Sequence, residues 1–549
     1  MIWANFLHFY QPPTQKKYWV DRITAESYSR ILKELEAHPD ARLTINIAAV
    51  LLELWDKYGY QDVINGYRKL VERGQIEVTG SAKFHPLLPK LPDSEIIRQI
   101  KLNEATLFNY LGVVGPLWRQ GIRNKELGIR EGVSNPNSKF ELPNSLSTQG
   151  FFPPEMAFDS RVGKLVADLG YRYVICDEYS FSGRLGDLKS DRVYEVGESG
   201  NQVIGESYNQ SYDNPIIQSP DYPLLLFFRE RASSFRILSG QLGTAKLFLD
   251  YLGRHRKEGE YLLTAMDGET FGHHRPGMDK LLFELYSIPE IKTVTLSELA
   301  VDFQQRETVS VRSATWALME KDLEKNAPFS RWDDPDNEIH ALQWELTNLA
   351  IETVNESRFK SKTVIQTSLS SSLRGGNRRS NLAVIAAASG LAMTDNKTDG
   401  DNNSTDQWLK ARTLLDRALH SDQYWWASAR PWWSLEMVEA GAKDLQDVIL
   451  TVPDAPKQAV VDAKRLYFSI ITTGFAWQRT NRVEAMSLKE DEEIRERTDK
   501  GLPKLPAEEI KKMIKTIEDE MLSVAEKREY ERAAQLRDRI KELEAYLKE

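Results

Sequence analysis

Residues 261–274 read YLLTAMDGETFGHH. An apolar run of strand length leads straight into two carboxylates, Asp267 and Glu269, and two adjacent imidazoles, His273 and His274. Polar groups crowded just past a strand are what parallel α/β sheets use to build sites, at the C-terminal ends of their strands.

The same pattern repeats upstream. Residues 1–303 alternate short apolar strands with amphipathic helices: IWANFLHFY, SYSRILKELEAH, RLTINIAA, DVINGYRKLVERG, QIEVTGSAKF and SEIIRQIKLNEATLFNYLG. GFFPPE, SRVGKLVADLG, YRYVICDE, PLLLFFRE and GTAKLFLDYLGRH continue it. Repeated βα units predict an α/β fold with a parallel sheet and helices outside; their number fits a closed or nearly closed barrel. Each strand ends in polar residues: His8 after the first, Glu77 and His85 in or after the third, Glu155 after the fourth. Asp177, Arg229 and Asp267 follow the fifth, sixth and seventh.

Past about residue 306 the periodicity becomes helical, as in HALQWELTNLAIETV and DLQDVILTV, which predicts an all-α domain over 306–480. A Ser/Gly/Asn-rich stretch at about 367–405 interrupts it and is expected to be a mobile insertion, because it has too little apolar area to order itself. A smaller insertion is expected at about 120–148. The charged, proline-bearing segment 481–507 reads as a linker. Beyond it, 508–549 reads as a two-helix hairpin with an apolar stripe that includes Met521, Leu536 and Ile540. So small a unit has little surface of its own to cover that stripe, so self-association or a protein partner is expected through it.

Bulk composition excludes several classes. A net charge of −9 argues against a nucleic-acid-coating protein. The longest small-apolar run, LAVIAAASGLAM, falls short of the ~20 residues a bilayer needs, so no membrane span is expected. A single cysteine, Cys176, allows no internal disulfide and no cysteine zinc cluster, and MIWANFLHFYQPP lacks the marks of a signal peptide. A cytoplasmic location is the expectation. Thirteen Trp residues exceed what core filling requires, and indole faces suit flat or sugar-like ligands.

Two chemistries compete for the polar residues. His8, His85, His273, His274, Asp177 and Asp267 are zinc-type donors, but no H-x-H or H-x-x-x-H spacing occurs, and neighbouring histidines on an extended segment point apart. No metal and no cofactor is expected. Glu155 and Asp267 lie 112 positions apart, and if folding brings them face to face they supply the paired carboxylates of glycoside hydrolysis.

With these residues in view, the first 300 positions resemble the family 57 glycoside hydrolases. HFYQPP at 8–13 matches a family strand ending in H-x-H-Q-P, with Tyr10 in place of the second histidine. GQIEVTG at 74–80 places Glu77, FFPPE at 151–155 places Glu155 with Phe152 where tryptophan is usual, and DGETFG at 267–272 matches in full. SDQYWWASARPWW at 421–433 is the counterpart of the helical-region motif. The resemblance implies an incomplete (β/α)7 barrel over 1–305, then a helical domain. It implies retaining chemistry on α-glucans, by hydrolysis or 4-α-glucanotransfer, with Glu155 as nucleophile and Asp267 as general acid/base. His8, Gln11, Glu77, His85, Phe152, Asp177, Arg229, Glu269, His273, Trp425 and Trp426 are then expected to contact an oligo- or polysaccharide. EDEMLSVAEKREYERAAQLRDRIKELE resembles the UVR motif of UvrB and UvrC, a hairpin that joins proteins. The competing reading is a carbohydrate-binding or regulatory protein with a vestigial site, recruited through that hairpin.

Overall fold

The computed structural model describes residues 1–119, 146–197, 223–372, 401–430, 432–490, 506–526, 528 and 530–547. The strands are β1 (Ile2–Phe9), β2 (Leu43–Ile47), β3 (Ile76–Val78), β4 (Gly150–Phe151) and β5 (Tyr173–Asp177). They continue with β6 (Val193–Val196), β7 (Leu225–Arg229), β8 (Tyr261–Asp267), β9 (Lys292–Val294) and β10 (Arg306–Val309). One sheet runs β3-β2-β1-β8, with β9 also on β1, and every pairing in it is parallel. The other runs β10-β6-β7-β5-β4 and is parallel except between β6 and β7. Main-chain bonds stitch the two together. Gly80 N–H donates to the Gly150 carbonyl (2.8 Å), Phe152 N–H to that of Gly80 (2.9 Å), and Glu230 N–H to that of Leu263 (2.9 Å).

These strands are apolar on both faces because both faces are covered. Successive side chains alternate. Ala4 and Phe6 of β1, Tyr173 and Ile175 of β5, Phe227 of β7, and Leu263 and Ala265 of β8 fill one inner cluster. Trp3, Leu7 and Phe9 turn outward with Leu262 and Met266 onto the helices. The next inward positions are His8, Asp177, Arg229 and Asp267, so a period of two delivers all four to one end of the inner space.

The expected boundary at 305 shifts, because β10 pairs with β6 and belongs to the sheets. The following segment crosses the strand ends, with Ala314 bridging to Phe158. The helical region is built from helices Glu338–Ser372, Asp401–Ala418, Leu435–Thr451 and Lys457–Arg479 around Val354, Leu415, Leu445 and Ile470. Of the expected insertion, 367–372 and 401–405 are helical, and 373–400 lie outside the described residues, as do 120–145. The expected linker also starts later: 482–490 is helical, and Glu490 is buried against Arg331 and Lys321, while 491–505 lie outside the described residues.

A buried ion network fastens the helical region to the α/β region. Arg412 grips Glu95 through two hydrogen bonds (2.9 and 2.6 Å) and also bonds Asp416, which in turn holds Arg98. The chain then reaches the strand ends at Ser421 and Asp422.

The hairpin forms as expected, from helices Ala507–Glu526 and Tyr530–Tyr546. Its stripe corrects the sequence expectation. Ile510, Met513, Ile517, Leu536, Ile540 and Leu543 are buried in the same core as Leu242, Met278 and Leu281 of the α/β region. Glu509 accepts from the Thr244 hydroxyl (2.8 Å), and Lys512 pairs with Glu284 (3.7 Å). The sequence estimate counted only the hairpin's own surface; the chain itself supplies the missing partner face.

Arg412→Ala leaves Glu95 buried without its partner, which costs about 3–5 kcal/mol. Chemical denaturation of wild type and variant measures this.

Candidate active site

Glu155 sits in a short turn, Pro154–Met156, with φ of 60° and ψ of 17°. A left-handed conformation costs a residue bearing a Cβ on the order of 1 kcal/mol. The two preceding prolines fix the entry to the turn. Trp316 holds the exit, with its N–H donating to the Glu155 carbonyl (3.3 Å) and its indole N–H to Glu155 Oε2 (2.9 Å). The carboxyl group is thereby turned into the inner space between the strand ends.

Trp316 is itself clamped. Asp177 Oδ2 accepts from Arg229 Nε and its Oδ1 from Arg231 Nη1, both at 2.7 Å. Both guanidinium groups then donate to the Trp316 carbonyl (3.1 Å each). Burial opposes ionisation of Asp177, but Arg231 and Arg229 prevail and hold its carboxyl below the usual range. Asp177 and Arg229 therefore bind each other and the backbone, where direct contact with ligand was expected.

On the other side, Asn46 fixes a chain of tautomers. Its Nδ2 faces Thr79 Oγ1 (3.2 Å), so its Oδ1 accepts from His8 Nδ1 (2.9 Å). Burial lowers the His8 pKa to about 3, so the ring is neutral and its Nε2 accepts from His85 Nε2 (3.0 Å). His85 Nδ1 then accepts from the Ser421 hydroxyl (3.1 Å) and lies 3.7 Å from Glu155 Oε1. Phe152 underlies His8, ring centres 4.7 Å apart, and is 0% exposed, so it has no face to offer a sugar.

Asp267 ends β8 opposite His8 in register. The following turn needs its glycines: a Cβ on Gly268 would meet the Phe9 ring at 2.2 Å, and one on Gly272 (φ 115°) the Glu26 carbonyl at 2.0 Å. Glu269 accepts from Gln11 Nε2 (2.9 Å) and from the Tyr28 hydroxyl. His273 Nδ1 bonds Glu26 (2.6 Å). Glu77 lies one layer lower, level with Thr44, and takes hydrogen bonds from Ser297 and Thr44. A shift of two residues along a strand, about 6–7 Å, separates it from the His8 layer. Trp425 packs on Trp332 and Trp433 on Trp477; Trp426 meets the half-exposed Trp432.

Sequence reasoning missed Trp316, Asn46, Tyr28 and Asp422. Asp422 accepts from the Tyr10 hydroxyl (2.5 Å), and the Tyr10 ring stacks on His85 at 3.9 Å. Tyr10 was noted only as a departure from the motif. The signal for Asp422 was its place inside SDQYWW, where the tryptophans drew notice first.

Three carboxyls titrate high. Burial pushes Glu155 up to about 8, opposed by the Trp316 bond and reinforced by the charges of Asp267 and Asp422. Burial raises Asp267 to about 6, with Arg229 pulling the other way. Glu269 is raised to about 8 by burial and by Asp267. Carboxyls kept protonated near neutrality by burial and mutual repulsion suit acid–base work. Among the described residues, no cluster of three or more His, Cys, Asp or Glu side chains is arranged to hold a metal ion.

The family model of glycosyl hydrolase family 57 matches residues 5–312, and the chain belongs to that family. The UvrB/uvrC motif matches 511–546. An alpha-amylase of Pyrococcus horikoshii is 22% identical over 285 residues, 51% of this chain and 36% of that protein. A 4-alpha-glucanotransferase of Thermococcus kodakarensis is 28% identical over 210 residues, 37% of this chain and 26% of its own length. The chain thus matches only about a third or less of these relatives. The crystal structure of a GH57-type branching enzyme from Pyrococcus horikoshii shares the fold, with a TM-score of 0.53 and 14% identity. That likeness covers 85% of this chain and 94% of the other.

Trp316→Phe removes the indole donor and leaves the ionised Glu155 with one bond fewer. The Glu155 pKa should rise by about one unit, read by infrared carboxylate titration against Glu155→Gln.

Proposed function

We propose that the protein is a retaining glycoside hydrolase or 4-α-glucanotransferase acting on α-glucans. Glu155 attacks the anomeric carbon as the glycosidic C–O bond breaks, and Asp267 gives its proton to the leaving oxygen. Asp267, now a carboxylate, takes the proton of an incoming hydroxyl, whose oxygen displaces Glu155. Water as that acceptor gives hydrolysis, and a sugar hydroxyl gives transfer. The observation that carries the reading is electrostatic. Glu155 follows β4 and Asp267 ends β8, on opposite sheets; both are half-buried, and the charge of Asp267 adds to the burial that raises the Glu155 pKa.

The same reading takes the strand set as an incomplete (β/α)7 barrel, followed by the helical domain and the hairpin. His8, His85, Gln11, Glu269 and His273 hold the acids in place from behind. Tyr10, Trp316 and Asp422 line the open side with them, and Trp425 and Trp426 extend toward longer chains. Incubation with maltooligosaccharides of several lengths, followed by chromatography, tests the substrate class. Shorter sugars alone mark hydrolysis; longer and shorter ones together mark transfer.

A second assignment has one observation in its favour. Burial lifts Glu155 to about 8 and Asp267 to about 6, so near neutrality Glu155 is the one of the two that holds a proton. Reversed roles would follow from that order. Azide separates the two. With a substrate whose leaving group needs no proton, Glu155→Ala should lose normal turnover and yield the β-glycosyl azide, while Asp267→Ala should keep its first step and yield the α-azide. The opposite pair of products establishes the reversed roles.

Both assignments need one proton on the pair. The rate should therefore rise with pH through about 6, as the second proton leaves, and fall through about 8, as the last one does. A kcat/KM profile over this range is the check.

A further inference from the structure

The helix Lys457–Arg479 is apolar on two sides. Ala463, Leu466, Ile470 and Trp477 are buried in the core of the helical region. Val461, Phe468 and Phe475 face solvent instead, 57, 65 and 53% exposed. With Arg465, Thr472 and Arg479, which are also exposed, they form a stripe whose spacings alternate between four and three residues. That is the spacing of a seam that packs along another helix. A helix apolar on both sides is ordinarily covered on both.

The stripe is its own complement. Turned end to end about Ile470, it sets Val461 opposite Arg479, Arg465 opposite Phe475, and Phe468 opposite Thr472. A two-fold interface requires such a match, because each residue must meet its counterpart twice. The pairs are compatible: a guanidinium lies well on the Phe475 ring, and an arginine stem covers Val461. Charge agrees with the same arrangement. The neighbouring helix Glu338–Ser372 runs antiparallel, since Glu338 accepts from the Trp477 indole (2.6 Å) and Glu345 pairs with Arg465 (2.9 Å). Two turns further on, the exposed Glu352 comes level with Val461. Among the described residues neither Glu352 nor Arg479 takes part in an ion pair. The two-fold brings the Arg479 of each copy beside the Glu352 of the other. The size is adequate as well. The helix is about 35 Å long, and neighbours about 8–10 Å away on each side widen the face to roughly 700–900 Å², close to the ~800 Å² per partner of a stable complex.

We propose that two copies of the chain associate through this face, with their Lys457–Arg479 helices packed as an antiparallel pair. A lipid surface is the poorer occupant, because Glu338, Glu345 and Glu352 flank the stripe and anionic headgroups favour cations alone. The stripe holds none of the candidate-site residues, so the pairing does not depend on which reaction is run there. It also leaves the docked hairpin in place.

Sedimentation velocity of the full chain tests this. A monomer–dimer equilibrium with Kd of about 10 µM or tighter is expected. Phe468→Glu should raise that Kd about tenfold or more, and melting curves should show the variant as well folded as wild type, because the ring is exposed. Arg479→Glu should raise Kd about threefold or more, and adding Glu352→Arg should bring it back. The register is read by cross-linking. Under mild oxidation a mixture of Arg465→Cys and Phe475→Cys proteins should join copy to copy, and neither protein alone should do so. The native thiol, Cys176, is buried and does not compete. A chain that stays monomeric up to about 100 µM, a dimer whose Kd is unchanged in Phe468→Glu, or a mixture that fails to cross-link overturns the proposal.

Discussion

Asp177 carries two guanidinium groups, and both of them also hold the main-chain carbonyl of Trp316. The clamp sets the place of Trp316 and, through it, of Glu155. Asp177 and Arg229 end neighbouring strands, so their pairing is a consequence of sheet register. Trp316 lies past the last strand, on the segment that leads toward the helical region. Pinning its carbonyl fixes its indole, and the indole N–H restrains Glu155 in a backbone conformation that a side-chain-bearing residue adopts at a cost. Asp177 offsets one of the two arginine charges, and the carbonyls of Ala265, Trp316 and Leu318 accept from the guanidinium groups, so each polar atom named has a partner.

The opposite wall is governed by neutrality. Burial strips His8 and His85 of their positive charge, and the Asn46 amide sets which nitrogen of each ring carries a proton. Four acids, Glu155, Asp267, Glu269 and Asp422, thus share a region in which neither His8 nor His85 carries charge. Arg229 is the cation that acts on Asp267, and it is already committed to Asp177. Burial keeps protons on Glu155, Asp267 and Glu269, and the charge of Asp267 adds to it at Glu155 and Glu269.

The hairpin changes meaning once its neighbours are known. Its stripe is not a free adhesive face; it completes the core around Leu242, Met278 and Leu281. Burying six large apolar side chains against the chain's own surface is worth several kcal/mol by area, at roughly 1.5–3 kcal/mol per fully buried side chain before ordering costs. Any partner drawn to that stripe would first have to displace it. The contact also lies at the far end of the loop that follows β8, so hairpin and candidate site share one continuous piece of backbone from Asp267 to Met278.

What the sequence determined by itself follows from local periodicity. Strands apolar on both faces, each ending in a polar residue, placed His8, Asp177, Arg229 and Asp267 at one end of the sheets, because side-chain direction alternates with a period of two whatever the rest of the chain does. The C-terminal stripes were legible as two helices. Register was not legible. Glu77 differs from Thr79 by one layer, and only strand pairing shows that it bonds Ser297 below the site. Nor was partnership across the chain. Trp316 and Asp422 reach Glu155 and Tyr10 from 161 and 412 positions away, and the hairpin meets Thr244 from 265. Local patterns record which way a side chain points; which atoms it meets depends on the packing of whole elements, and that free energy is shared among residues too distant to leave a mark on any one segment.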